Sequence, residues 1–152
     1  KRATDADLDI GVTFFSQAVN VEEAEEEAEF VLEYLKDWEI QYPVVFSMEH
    51  IENDSARIDI LTKEDKTQIT KAFLAKIEEA GYIGMISGDK EWMFEDINYA
   101  AVSNYGVWLN QMKDLPDYPY RYQMWKYTNV GTVEGISGPV SLSVSFVDYS
   151  VK

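Results

Sequence analysis

Glu49 closes the apolar run Pro43-Val44-Val45-Phe46-Ser47-Met48-Glu49-His50, and it is the side chain best placed in this sequence to give or take a proton. Residues 43–50 read as a strand. Side chains on a strand alternate between faces, so Val45, Ser47 and Glu49 share one face while Val44, Phe46 and Met48 share the other. Two residues before Glu49, on its own face, stands Ser47. Alternation turns His50 to the opposite face, away from any chemistry of Glu49.

The composition narrows what such a strand can serve. A chain of 152 residues supports one domain, spanning 1–152, with a sizeable core. Its formal net charge of -15, with only 13 Lys and Arg, makes nucleic acid a poor partner, because neutralising phosphates needs clustered cations. No cysteine and a single histidine leave no disulfide framework, no thiolate chemistry and too few ligands for a zinc site. No cofactor is implied, and no apolar run is long enough for membrane insertion. The opening Lys1-Arg2-Ala3-Thr4-Asp5 lacks the apolar centre of a signal peptide and reads as a cut.

Strand-like and helix-like segments alternate in the first part of the chain. Residues 9–18 are rich in β-branched and aromatic types and read as a strand. Asn20 offers an N-cap to a helix reaching about Asp37, with Val21, Ala24, Ala28, Val31, Leu35 and Trp38 at helical spacing. The Glu-rich stretch 22–33 reads as that helix's solvated face. A polar loop from Glu52 to Arg57 leads to a capping-box start at Thr62-Lys63-Glu64-Asp65, an apolar stripe from Ile69 to Ala80, and a terminating Gly81. Residues 82–87 read as a strand, followed by a short aromatic helix or turn around Trp92 and Phe94. Three further strands, near 105–112, 122–128 and 140–146, arrive without long helices between them. In the last, Val140, Leu142, Val144 and Phe146 alternate with Ser141, Ser143 and Ser145, giving one apolar and one hydroxylated face; it suits a barrel wall, but on its residues alone a half-exposed edge is the preferred reading.

Several of these segments together resemble the family 25 glycoside hydrolases, the cell-wall lysozymes or muramidases. The resemblance runs through Asp9-Ile10-Gly11-Val12, Pro43 to Glu49, Ala80-Gly81-Tyr82, Trp108-Leu109-Asn110-Gln111, Gln123-Met124-Trp125-Lys126-Tyr127-Thr128 and Gly131 to Gly138, in the family's order. It implies an α/β fold, a modified TIM-like β/α barrel with its site at the C-terminal strand ends. It also implies a partial barrel: the family's opening Gly-x-Asp-x-Ser strand and the strand after it have no counterpart here. The gap is expected to be filled by another chain, a swapped copy or a rearranged strand order.

By the same resemblance, Glu49 holds the position of the general acid, and Trp108, Gln111, Trp125, Lys126 and Tyr127 hold substrate-contacting positions. Ser47 replaces the Asp of the family's Asp-x-Glu, and Ser141 and Ser143 replace the Asp and Asn of its last strand. Lys126 stands where Gln is usual. Glycoside hydrolysis by carboxylates requires one group to keep a proton while another stays charged, and a single Glu cannot do both. Three readings follow: a degenerate lysozyme-like domain that binds peptidoglycan or a related glycan, a residual muramidase using Glu49 and the substrate's own acetamido group, and a structural or interaction module. The lineage implies an extracellular or cell-wall location. A Lys126 ammonium beside Glu49 would favour the ionised carboxylate; alternatively, Lys126 extends to solvent.

Overall fold

The computed structural model describes residues 2–50 and 57–150; residues 51–56, most of the expected polar loop, lie outside them. Six strands form one sheet in chain order: β1 (Val12–Phe15), β2 (Val44–Ser47), β3 (Gly84–Gly88), β4 (Gly106–Asn110), β5 (Met124–Gly131) and β6 (Val140–Ser145). Neighbours from β1 to β5 are parallel, and β6 runs antiparallel to β5. A rearranged strand order, one of the expectations for filling the barrel, is therefore not what these strands adopt. After a short α1 (Arg2–Asp5), the crossovers are made by α2 (Val21–Leu35) and α3 (Lys63–Glu79), with a brief α4 (Tyr99–Val102) before β4.

Local chemistry sets the helix ends. The Asn20 side chain accepts from the Glu23 N–H at 2.8 Å, capping α2. Thr62 and Asp65 exchange side-chain and backbone bonds as a capping box at the start of α3. Gly81 ends that helix at φ +88°, the left-handed region that a side chain would oppose. The strands are shorter than expected: β1 occupies four residues of 9–18, and β2 stops at Ser47, so Glu49 sits just past the strand end.

The two sheet faces have different fates. Val44, Phe46, Ile86, Val107 and Leu109 point to the helices and join Ala28, Val31, Phe73 and Ile77 in one buried core. The opposite face carries Val45, Ser47, Met85, Ser87, Trp108 and Asn110, which pairing places in neighbouring rows. The sheet curls so that this face is concave, and two contacts cross its hollow. Trp108 Nε1 on β4 donates to Ser143 Oγ on β6 at 3.2 Å, across β5, and Asn110 on β4 reaches Glu49 beyond β2, across β3. Both bonds bring side chains of next-but-one strands together over this face, as the curl of the six-stranded sheet requires. The result is a half-barrel, with Glu49, Ser87 and Asn110 gathered at the C-terminal ends of its parallel strands.

Candidate functional site in the hollow of the half-barrel

At those strand ends the exposed Glu49 carboxylate is held by neutral groups. Its Oε1 accepts from Ser47 Oγ at 3.4 Å and from Asn110 Nδ2 at 3.3 Å, and Asn110 Nδ2 also donates to Ser87 Oγ at 3.2 Å. The Oδ1 of Asn110 is buried without a partner. Asn110 pairs in register with Lys126, which pairs with Ser143, the acceptor of the Trp108 indole. Glu49, Ser47, Trp108, Lys126 and Ser143 therefore share one concave wall.

Lys126 and Glu49 form no ion pair among the described residues; neutral side chains stand between them. Ser141 is exposed on β6 and shares no hydrogen bond with this set among the described residues. Asn110 and Ser87 were not anticipated from the sequence. The only signal for Asn110 was its place two residues after Trp108, hence on the same face.

Gln111, Trp125 and Tyr127 lie on the other side of the sheet. The Gln111 amide donates to Asp117 Oδ1 at 2.7 Å and accepts from the Asp117 N–H at 2.9 Å, bracing the β4–β5 connection. Trp125 Nε1 donates to the Gln111 carbonyl at 2.8 Å. Lys113, Gln111 and Lys90 together hold the Asp117 carboxyl far below the usual carboxylate range. Trp125 and Tyr127, with ring centroids 5.7 Å apart, line an open groove of about 530 Å³ with Met112, Thr128 and Val144. Strand alternation makes this inevitable: Trp125 and Tyr127 cannot face the same way as Lys126.

His50 turns away from the hollow, as alternation predicts, into a second charged group. Its Nε2 lies 3.0 Å from Asp96 Oδ1 and its Nδ1 3.3 Å from Asp59 Oδ1. Lys66, only 4 % exposed on α3, pairs with the same Asp96 oxygen and lies 5.2 Å from the Trp92 ring centre. The Asp96 contact raises the His50 pKa against the opposing effects of burial and the Lys66 charge. Burial pushes Asp96 upward, yet Lys66 and His50 together hold it below its ordinary value. This cluster pins the chain just past Glu49 to α3 and to the π-helical turn Trp92–Asp96. No group of three or more metal-ligating side chains gathers among the described residues, and none of their helices is long and apolar enough to cross a membrane.

Solved structures share this architecture. The CTP1L endolysin superposes with a TM-score of 0.75 at 20% identity, over 97% of this chain and 50% of its own. The modular autolysin LytC from Streptococcus pneumoniae gives 0.81 at 20% identity, over 93% and 35%. A family 25 glycosyl hydrolase from Bacillus anthracis gives 0.74 at 19% identity, over 96% and 68%. At such identities the likeness is one of fold, and the chain spans no more than half the length of the first two. No curated protein sequence matches the chain. The model of the glycosyl hydrolases family 25 matches residues 1–136, nearly the whole concave sheet with its Glu49 end, and the chain belongs to that family.

Proposed function

We propose that this is a peptidoglycan-directed, lysozyme-like domain acting at the cell wall, which binds wall glycan and has lost most hydrolytic power. The observation that carries this reading is the company Glu49 keeps: a serine hydroxyl and an asparagine amide, with no second carboxylate bonded to it among the described residues. Cleaving a glycosidic bond builds positive charge on the sugar ring, and stabilising groups missing from the site often cost about 3 kcal/mol or more each. Ser47 and Ser141, standing at positions where the family carries Asp, supply hydroxyls and no charge. Hydroxyls and amides facing a concave wall with one indole, Trp108, still suit a sugar, whose hydroxyls need partners and whose C–H faces pack on aromatic rings.

Purified peptidoglycan tests this directly. The chain is expected to co-sediment with insoluble wall while releasing no reducing ends, and Glu49→Gln is expected to leave that unchanged. Release of reducing ends that Glu49→Gln abolishes would instead establish a residual muramidase with Glu49 as acid. Failure to co-sediment would leave the interaction-module reading.

We further infer that β1, whose outer edge pairs with no strand among the described residues, is an assembly surface through which a second copy extends the half-barrel. Beside β1, an apolar groove of about 330 Å³ is lined by Ile10, Val12, Phe14, Phe30, Tyr34 and Trp38. An unpaired strand edge beside exposed aromatics favours pairing with another strand. Because α2 is acidic, association is expected to strengthen with added salt. Sedimentation velocity should show a dimer that Phe30→Glu returns to monomer; a monomer unaffected by Phe30→Glu and by salt rules out the second copy.

A further inference from the structure

Resting on the glycan reading above, we infer that Lys126 selects the ligand: it anchors a carboxylate carried by the bound sugar, so the hollow prefers acidic over neutral glycans. Lys126 is the only charged side chain within the six strands, in a protein with 28 acidic and 13 basic residues. Six other cations, Lys36, Arg57, Lys66, Lys76, Lys90 and Lys113, each pair with a carboxylate, whereas Lys63, Lys71 and Arg121, which like Lys126 form no such pair among the described residues, lie outside the sheet. Lys126 pairs with none among the described residues. Instead it is half-buried on the concave wall, between Asn110 and Ser143 in the strand register.

An ammonium on a wall of neutral hydrogen-bonding groups, with no carboxylate partner among the described residues, offers an incoming anion a charge-assisted bond that no acid of the protein already takes. Its surroundings define the rest of the ligand. Ser143 and Asn110 offer neutral hydrogen-bonding groups, and Trp108, hydrogen-bonded to Ser143, stands on the same face. Measured along the sheet, Lys126 on β5 lies three strand spacings from Glu49 beyond β2, roughly 14 Å before the curl shortens it. That is the reach of a short oligosaccharide rather than of one sugar. The fitting ligand is an amino-sugar chain bearing an ether-linked lactyl acid or a uronic acid, its carboxylate at β5 and its neighbouring ring toward Glu49. Where that acid is normally capped as an amide, the reaction class that must supply this ligand is hydrolysis of the sugar-to-peptide amide.

Two probes with the same β-1,4 backbone separate charge from shape: peptide-free strands of alternating N-acetylglucosamine and N-acetylmuramic acid, and chitotetraose, which is neutral. Calorimetric titration of the whole chain is expected to show about tenfold tighter binding of the acidic strand, weakening as salt is added. Lys126→Gln is expected to bring the two affinities together by weakening only the acidic probe, while Lys126→Arg keeps the preference. Equal affinity for both probes in the unmodified chain, or a preference that survives Lys126→Gln, overturns the anchor and leaves glycan binding standing. Binding of neither probe overturns the glycan reading and the anchor with it.

Discussion

Asp96→Ala is expected to destabilise the chain by about 3–5 kcal/mol at neutral pH, the cost of leaving one partner of a buried ion pair uncompensated. Lys66 is 4 % exposed, and its ammonium has Asp96 as its carboxylate partner; the other groups against it are the His50 ring and the Trp92 face. Removing Asp96 leaves that cation facing an imidazole whose own protonation repels it. The loss should come from the stranded charge, so the double variant Lys66→Met/Asp96→Ala is expected to recover most of the stability, the Met side chain still packing on Trp92. Urea denaturation of the two variants measures this; equal losses in both would show that the loss comes from removing the pair itself and not from a stranded Lys66 charge.

The same cluster fixes how stability depends on pH. Asp96 is held below its ordinary pKa, so its contribution is present above the ordinary carboxylate range and is lost as pH falls through the lowered folded value. His50 is raised, so its contribution is complete below its unfolded value and is lost as pH rises through the raised folded value. Unmodified protein should therefore be most stable between those two limits, and Asp96→Ala should flatten both flanks. His50 is half-exposed, so its flank is the shallower.

Much of this arrangement was legible in the chain because it depends on local rules. Asn20 and Thr62 announce the starts of α2 and α3, Gly81 announces the end of α3, and alternation separates Ser47 and Glu49 from Phe46 and Met48. Alternation also separates Lys126 from Trp125 and Tyr127, a signal hidden when the segment is read as one motif. What stayed out of reach depends on register between distant strands. Nothing local brings Asn110 to Glu49, 61 positions away, because the contact exists only if β3 lies between them and the sheet curls. The strand limits escaped for a related reason: residues 9–11 and 48–50 are contiguous with the apolar runs read as strands, but they lie outside the paired register, which spans Val12–Phe15 and Val44–Ser47. The burial of Lys66 likewise depends on distant residues, since His50 and the Trp92–Asp96 turn come against it on α3.

Phe73→Ala should cost a similar amount, about 3–5 kcal/mol, by a different route: the transfer energy of the lost ring plus the cavity it leaves. Phe73 is fully buried on α3 and lies between two strands' aromatics, 5.5 Å from the Phe14 ring on β1 and 5.2 Å from the Phe46 ring on β2. Neither neighbour can close the gap without moving its strand, so the cavity collapses poorly. In a chain of this size each kcal/mol lowers the Tm by about 2–4 °C, so thermal unfolding followed by circular dichroism resolves the effect easily. Phe73→Leu retains most of the apolar volume and should lose far less. The functional consequence follows from Phe46 being the residue before Ser47. If the core behind β2 sets the position of its end, Phe73→Ala should weaken glycan binding in the hollow more than Asp117→Asn, which disturbs only the far side of the sheet. Equal binding by the two variants would show that the hollow is positioned by its own hydrogen bonds, Glu49 to Asn110 and Trp108 to Ser143, rather than by the packing beneath it.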